Sequence, residues 1–224
     1  MGAVADAVLR WREPAVRVLS RLIPGQVLCY VDTDAPAVAL TFDDGPHPQT
    51  TPQLLDVLAR HRARATFFII GERVTGNEPI VARIAAEGHE LANHLMREER
   101  SVLLSDERFQ RDLAEVTALL APYGTVRWFR PGSGWFTPRM LSAAARQELR
   151  IVLGTVVAMH TGGPGDAGIA RSLLGGIRPG SIVVLHEGMP ERRGVVATTG
   201  EVLAELDRRG LAVVTVSELV ALAR

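Results

Sequence analysis

A single cysteine, Cys29, leaves this chain with no partner for an intramolecular disulfide. Its neighbours are apolar, so the thiol reads as a core group and not as a nucleophile. No apolar run approaches the ~20 residues that span a bilayer. Asp6, Arg10, Arg12, Glu13 and Arg17 interrupt anything resembling a secretory signal. Together these absences lead us to expect a cytoplasmic protein with no transmembrane segment. Neither sign of charge is in excess, since 25 Lys+Arg face 25 Asp+Glu. No net field therefore draws the chain to nucleic acid or to an anionic membrane. A neutral or locally charged substrate suits it better.

What is present is ordinary globular composition: 224 residues, 47% hydrophobic, with no internal repeat and no low-complexity linker. That length supports one domain with a sizeable core. Residues 4 to 23 (Val4, Val8, Leu9, Val16, Leu19, Leu22 and Ile23) are amphipathic, with a break near Pro14. They read as an N-terminal helical extension, residues 1–34, packed on a domain at 35–224. From there strand-like and helix-like segments alternate to the end. Strands are expected at Ala37–Phe42, Ala65–Ile70, His89–Asn93, Val126–Arg130, Arg150–Val157, Ser181–His186 and Ala212–Val216. Helical patterns fall between them at Pro52–His61, Pro79–Glu87, Asp106–Leu120, Pro138–Glu148, Ala167–Ile177 and Thr198–Arg209. Thr51-Pro52 and Thr137-Pro138 each place a capping hydroxyl before a proline at the first helical position. Seven apolar strands alternating with helices imply an α/β domain of parallel strands joined by right-handed crossovers, barrel-like, with both faces covered.

In such folds reactive groups gather on the loops at the strands' carboxyl ends. The chemically suggestive residues fall there. Asp43 and Asp44 end the first strand before the turn Gly45-Pro46-His47-Pro48. Two adjacent carboxylates in a dry site need a cation or a shared proton to offset them. On an extended strand they point to opposite sides, which predicts different roles. His94 follows the third strand and Glu98 lies four residues on; if the chain turns helically there, the two share a face. Alone, His94 reads as a satisfied core histidine. Joined to Asp44 at the same end of the strands, it reads as a ligand, and Asp, His and Glu suit a hydrolytic zinc or a related divalent ion. Arg97, Glu99 and Arg100 surround Glu98, so a solvated face competes with that reading.

Arg130 ends the fourth strand before Pro131-Gly132-Ser133-Gly134. It suits the rim of a carboxylate pocket, where it would hold one aspartate ionised, and equally a surface arginine before a loop. Trp128, Trp135 and Phe136 flank it and could stack on sugar rings or pack in the core. His186 ends the apolar strand Ile182-Val183-Val184-Leu185, placed to act as a general acid. His89 starts a strand and is expected to be structural, His47 and His61 to be bystanders, and His160 and Asp166 to support the site from a Gly-rich loop.

Taken in order, Thr41-Phe42-Asp43-Asp44-Gly45-Pro46, Asn93-His94, Arg130-Pro131 with Gly134, and Leu185-His186 resemble the motifs of the polysaccharide deacetylases. These are the NodB-homology enzymes of carbohydrate esterase family four, and the resemblance covers residues 36 to 220. It implies a distorted (β/α)7 barrel and metal-dependent removal of N-acetyl groups from N-acetylglucosamine polymers such as chitin or peptidoglycan. The divalent metal would be zinc first, with cobalt, nickel or manganese as alternatives. Carried over by motif, Asp43 becomes the general base, Asp44, His94 and Glu98 the metal ligands, His186 the general acid, and Arg130 the partner of Asp43. Pro131, Trp135, Phe136 and Leu185 become substrate contacts. Two departures stand out. The family usually has a second histidine where this chain has Glu98, and Ala158-Met159-His160-Thr161 replaces a motif that carries an aspartate. Two alternatives follow from the altered ligand set: hydrolysis of a small non-sugar amide on the same barrel, or a weakened sugar-binding homologue. Oligomeric state is left open.

Overall fold

The computed structural model describes residues 27–158 and 167–224. The amphipathic stretch at 4–23, His160 and Asp166 lie outside the described residues. Strand β1 (Val27–Leu28) and the long β2 (Ala37–Gly45) precede helix α1 (Thr50–Arg60). Strand β3 (Thr66–Ile69), helix α2 (Glu78–Ala86), β4 (Glu90–Asn93) and α3 (Asp106–Leu120) come next. They are followed by β5 (Trp128–Phe129), α4 (Pro138–Arg146), β6 (Arg150–Val152) and β7 (Val156–Val157). The chain ends with α5 (Ala167–Gly176), β8 (Ile182–His186), α6 (Val195–Arg208), β9 (Ala212–Val214) and α7 (Val216–Ala221). Among the described residues no helix is long and apolar enough to cross a membrane.

All ladder pairings between these strands are parallel, in the order β1-β6-β5-β4-β3-β2-β8-β7, with β9 on β2. Ala39 pairs with both Ile182 and Val214, so β9 lies on the edge of β2 that β3 takes over from Thr41. The expected single strand at 150–157 is broken, and the break closes the fold. Its first half, β6, pairs with β5, and its second half, β7, pairs with β8. One segment thus joins both arms of the sheet into a distorted barrel. Gly154 stands at the crossing, where a Cβ would lie 2.2 Å from a Val184 methyl. Only a residue without a side chain allows that approach.

Every residue of β2 is buried, as a strand covered on both faces requires. Ala37 and Ala39 face inward with Phe68, Ala92, Trp128, Val152 and Ile182. Val38, Leu40 and Phe42 face outward against Leu54, Leu55 and Leu58 of α1 and Val202 and Leu206 of α6. Along β2 small residues face inward and large ones outward, which leaves room inside for the Phe68 and Trp128 rings. Helix α7, absent from the expected elements, closes the amino end. Thr215 and Glu218 form a reciprocal capping box at its start. Its Val216 and Leu219 pack into the inner cluster, and its Ser217 amide donates to Glu90, the first residue of β4.

The helix-start readings meet mixed outcomes. Thr137 does cap α4, accepting from Met140 N, with Pro138 in the first position. Thr51 does not cap α1, which begins two residues before the expected Pro52, at Thr50; its hydroxyl accepts from His47 N and donates to Glu187. His89 is structural as expected, its Nδ1 accepting from Ala65 N; burial pushes its pKa down to about 4, which keeps the ring neutral. Cys29 is fully buried, and burial pushes its thiol up to about 11, which makes it inert.

Phe42 stacks on Phe67 with ring centroids 5.1 Å apart, directly before the paired aspartates. Phe42→Ala is expected to cost about 3–5 kcal/mol of stability, read from the shift in urea midpoint at unchanged slope.

Candidate active site

Strand β2 delivers both aspartates, but not by simple alternation. Asp43 continues the inward face of Ala37, Ala39 and Thr41. Asp44 adopts a left-handed φ of +68°, and the register against β3 slips between Asp43 and Gly45. This bulge corrects the expectation that the two carboxylates point to opposite sides. Asp44 is rotated back toward the same mouth, and both are buried.

Arg130 follows β5, its amide donating to Asn93 O at 3.0 Å. Its guanidinium turns into the barrel, where Nη1 donates to Asp43 Oδ1 at 2.5 Å and to Thr41 Oγ1 at 2.8 Å. Nε donates to Val152 O at 3.1 Å, and the group lies 3.9 Å above the Phe68 ring. Arg130 is therefore a buried partner of Asp43 and not a surface residue. On the other side of Asp43, His186 Nε2 stands 3.9 Å from Oδ2, with about a quarter of its side chain open to solvent.

His94 follows β4. Its Nδ1 lies 2.7 Å from Arg130 O, a carbonyl that can only accept, so Nδ1 carries the proton. Nε2 then faces Asp44 Oδ1 at 3.2 Å. Burial favours the neutral ring, but the charges of Asp43 and Asp44 and the Arg130 carbonyl outweigh it and raise the His94 pKa. Burial also works against the Asp44 carboxylate. The hydrogen bond and charge of His94, with the charges of His186 and Arg192, overcome it and hold that carboxyl well below the usual range.

Glu98 does not share a helical face with His94. Leu95 sits at φ +64°, its amide taken by Asn93 Oδ1, and no helix forms between 94 and 100. The Glu98 carboxylate lies instead between two arginines, Oε1 on Arg192 Nη2 at 2.7 Å and Oε2 on Arg73 Nη2 at 2.8 Å. Arg192 Nη1 also donates to Asp44 Oδ2 at 2.6 Å, and Arg73 Nη1 donates to Asp44 O. Among the described residues no group of three or more His, Cys, Asp or Glu is placed to hold a metal ion. The expected Asp44–His94–Glu98 donor set thus does not fit a three-ligand site. Sequence reasoning missed Arg73 and Arg192. Their signal was position: each lies in a short 3-10 turn just past a strand's carboxyl end, Arg73 after β3 and Arg192 after β8.

Of the expected substrate contacts, Trp135 is 65% exposed on the loop after β5. Pro131 is buried beside Arg130. Phe136 is half-buried against the cluster of Phe109 and Met140. Leu185 is corrected, because it faces away from the mouth in the outer core with Phe42 and Val183. His47 accepts from the Gln49 and Thr50 amides, and His61 pairs with Asp207; both stay out of the site.

The fold and this mouth define a parallel α/β barrel hydrolase whose paired aspartates, arginine and histidine stand at the strands' carboxyl ends. The sequence profile of the polysaccharide deacetylase family matches residues 30–152, and the chain belongs to that family. A peptidoglycan-N-acetylglucosamine deacetylase of Bacillus cereus is 34% identical over 203 residues, 87% of this chain and 93% of the relative. A chitooligosaccharide deacetylase of Rhizobium leguminosarum bv. phaseoli is 39% identical over 162 residues, 70% of this chain and 71% of the relative. Among solved structures, the Bc1960 peptidoglycan N-acetylglucosamine deacetylase superposes with a TM-score of 0.83 at 28% identity, covering 88% of this chain and 95% of that one. A family 4 acetyl xylan esterase from Clostridium thermocellum, in complex with a cobalt ion, gives 0.76 at 30% identity, covering 83% and 91%.

Behind the mouth, Glu187 is fully buried; its Oε2 accepts from Thr50 and Thr51, while Oε1 has no partner among the described residues. Burial pushes its pKa from 4.5 to about 7, with the Asp44 charge adding to the rise. The unfolded chain then holds fewer protons than the native one between those values, so this group's stabilisation is complete below 4.5 and is lost as pH rises through about 7. Glu187→Gln should remove a pH-dependent loss of roughly 3 kcal/mol. Urea midpoints of both proteins measured at steps from acid to mildly alkaline pH check this, and parallel curves would contradict it.

Proposed function

We propose that this chain hydrolyses the acetamide C–N bond of N-acetylglucosamine units in chitin- or peptidoglycan-type glycans, releasing acetate and leaving a free amine. The observation that carries this reading is the setting of Asp43, a buried carboxylate with Arg130 on one oxygen and His186 3.9 Å from the other. Arg130 fixes the carboxylate's orientation, so Oδ2 is left toward the mouth as a proton acceptor. A water between Oδ2 and the acetamide carbonyl carbon would lose its proton to Asp43 as it attacks. His186, partly open to solvent, would give a proton to the departing nitrogen. No step here is assigned to a metal, because the three expected donors do not converge. Trp135 offers an exposed indole face at the rim, suited to the apolar face of a sugar ring.

Acetate release should be measured from chitooligosaccharides, peptidoglycan fragments and a simple cyclic amide. The reading expects turnover of the glycans and not of the cyclic amide. Asp43→Asn should lower kcat/KM about 10²–10⁴-fold, and Trp135→Ala should raise KM with little effect on kcat. Sugar binding by the parent chain with no acetate released would favour the weakened binding homologue instead.

A further inference from the structure

We propose that the guanidinium of Arg192, backed by that of Arg73, is the resident cation of this site, seated between Asp44 and Glu98 in place of a divalent metal. Four residues close a circuit, the last link running to the Asp44 backbone carbonyl. Arg192 Nη1 meets Asp44 Oδ2 at 2.6 Å and its Nη2 meets Glu98 Oε1 at 2.7 Å. Arg73 Nη2 meets Glu98 Oε2 at 2.8 Å, and its Nη1 returns to Asp44 O. Two carboxylates against two guanidinium groups sum to zero. A dication arriving here would find no net negative charge and two cations at contact distance. The donors are used up as well. Asp44 Oδ2 and both Glu98 oxygens are engaged, which leaves Asp44 Oδ1 and His94 Nε2, one short of the three protein ligands of an open zinc site.

The identity of residue 98 fits this account. A carboxylate has two oxygens and can take one arginine on each, whereas an imidazole offers a single acceptor. The cations fit too. All 25 of the chain's Lys+Arg positions are arginine, and the planar fork of arginine presents two donors in fixed geometry, one for each carboxylate. The scaffold is shaped for the circuit. Gly188, at φ +84°, stands where a Cβ would come within 2.1 Å of both Arg73 Nη1 and Asp44 O, so only glycine lets Arg73 through. Arg192 is four-fifths buried by the same packing.

The test reads metal binding and not acetate release, so failure of the deacetylase reading leaves it intact. The full chain is stripped with chelator, desalted, and titrated with Co²⁺ and with Zn²⁺ by calorimetry and visible absorption, beside Arg192→Met, Arg192→Lys and Arg73→Met. The parent chain and Arg192→Lys should show no cobalt ligand-field band. Arg192→Met should bind Co²⁺ roughly tenfold or more tighter and develop that band. Arg73→Met, which keeps the Asp44–Arg192 pair, should show a smaller gain and serves if Arg192→Met does not fold. A parent chain that takes up one Zn²⁺ or Co²⁺ as tightly as Arg192→Met overturns the proposal. So does an Arg192→Lys protein that behaves like Arg192→Met.

Discussion

An arginine buried inside a barrel has to be offset by its neighbours, and Arg130 sets the terms for the rest of this molecule. Removing a guanidinium from water costs several kcal/mol even after relaxation. Here Asp43, the Thr41 hydroxyl, the Val152 carbonyl and the Phe68 ring share that cost. Each comes from a different point on the inner face: Thr41 and Asp43 from β2, Phe68 from β3, Val152 from β6. The ion pair therefore pins three strands to one another as well as orienting a carboxylate. His94 depends on it at one remove, since the carbonyl that fixes its tautomer belongs to Arg130. Loss of either charge would leave the other uncompensated in the interior, the expensive way to break such a pair.

Adjacent carboxylates in a dry mouth repel, and the bulge at Asp44 resolves the conflict by giving each its own cation. Asp43 belongs to Arg130 and Asp44 to His94 and Arg192. One backbone residue in a left-handed conformation thus separates two electrostatic compartments a single peptide apart. In the inner one both Asp43 and Arg130 are buried. The outer one is built from turns after β3 and β8 and reaches solvent through Glu98, whose side chain is about a third exposed.

Much of this architecture was legible in the residues. Apolar runs marked the strands because both faces are covered, and their carboxyl ends gathered Asp43, Asp44, His94, Arg130 and His186. Legibility stopped where tertiary contacts decide local structure. The strand at 150–157 reads as continuous, because only the approach of Val184 to Gly154 explains its break. The placing of Glu98 on a helical face with His94 failed at Leu95, whose left-handed backbone is held by Asn93, a contact that spacing does not announce. Alternation put Asp44 on the wrong side because a bulge leaves no mark in hydrophobic pattern. Arg73 and Arg192 were readable by position but resembled surface arginines, a common type in this chain. Helix α7 was missed although Thr215-x-x-Glu218 is a capping-box signature, because the apolar run Ala212–Val216 reads as one strand.

That small helix has a consequence for any glycan brought to this barrel. Its Val216 and Leu219 plug one end of the barrel. Any group that reaches Asp43 therefore enters from the opposite end, where the strands finish.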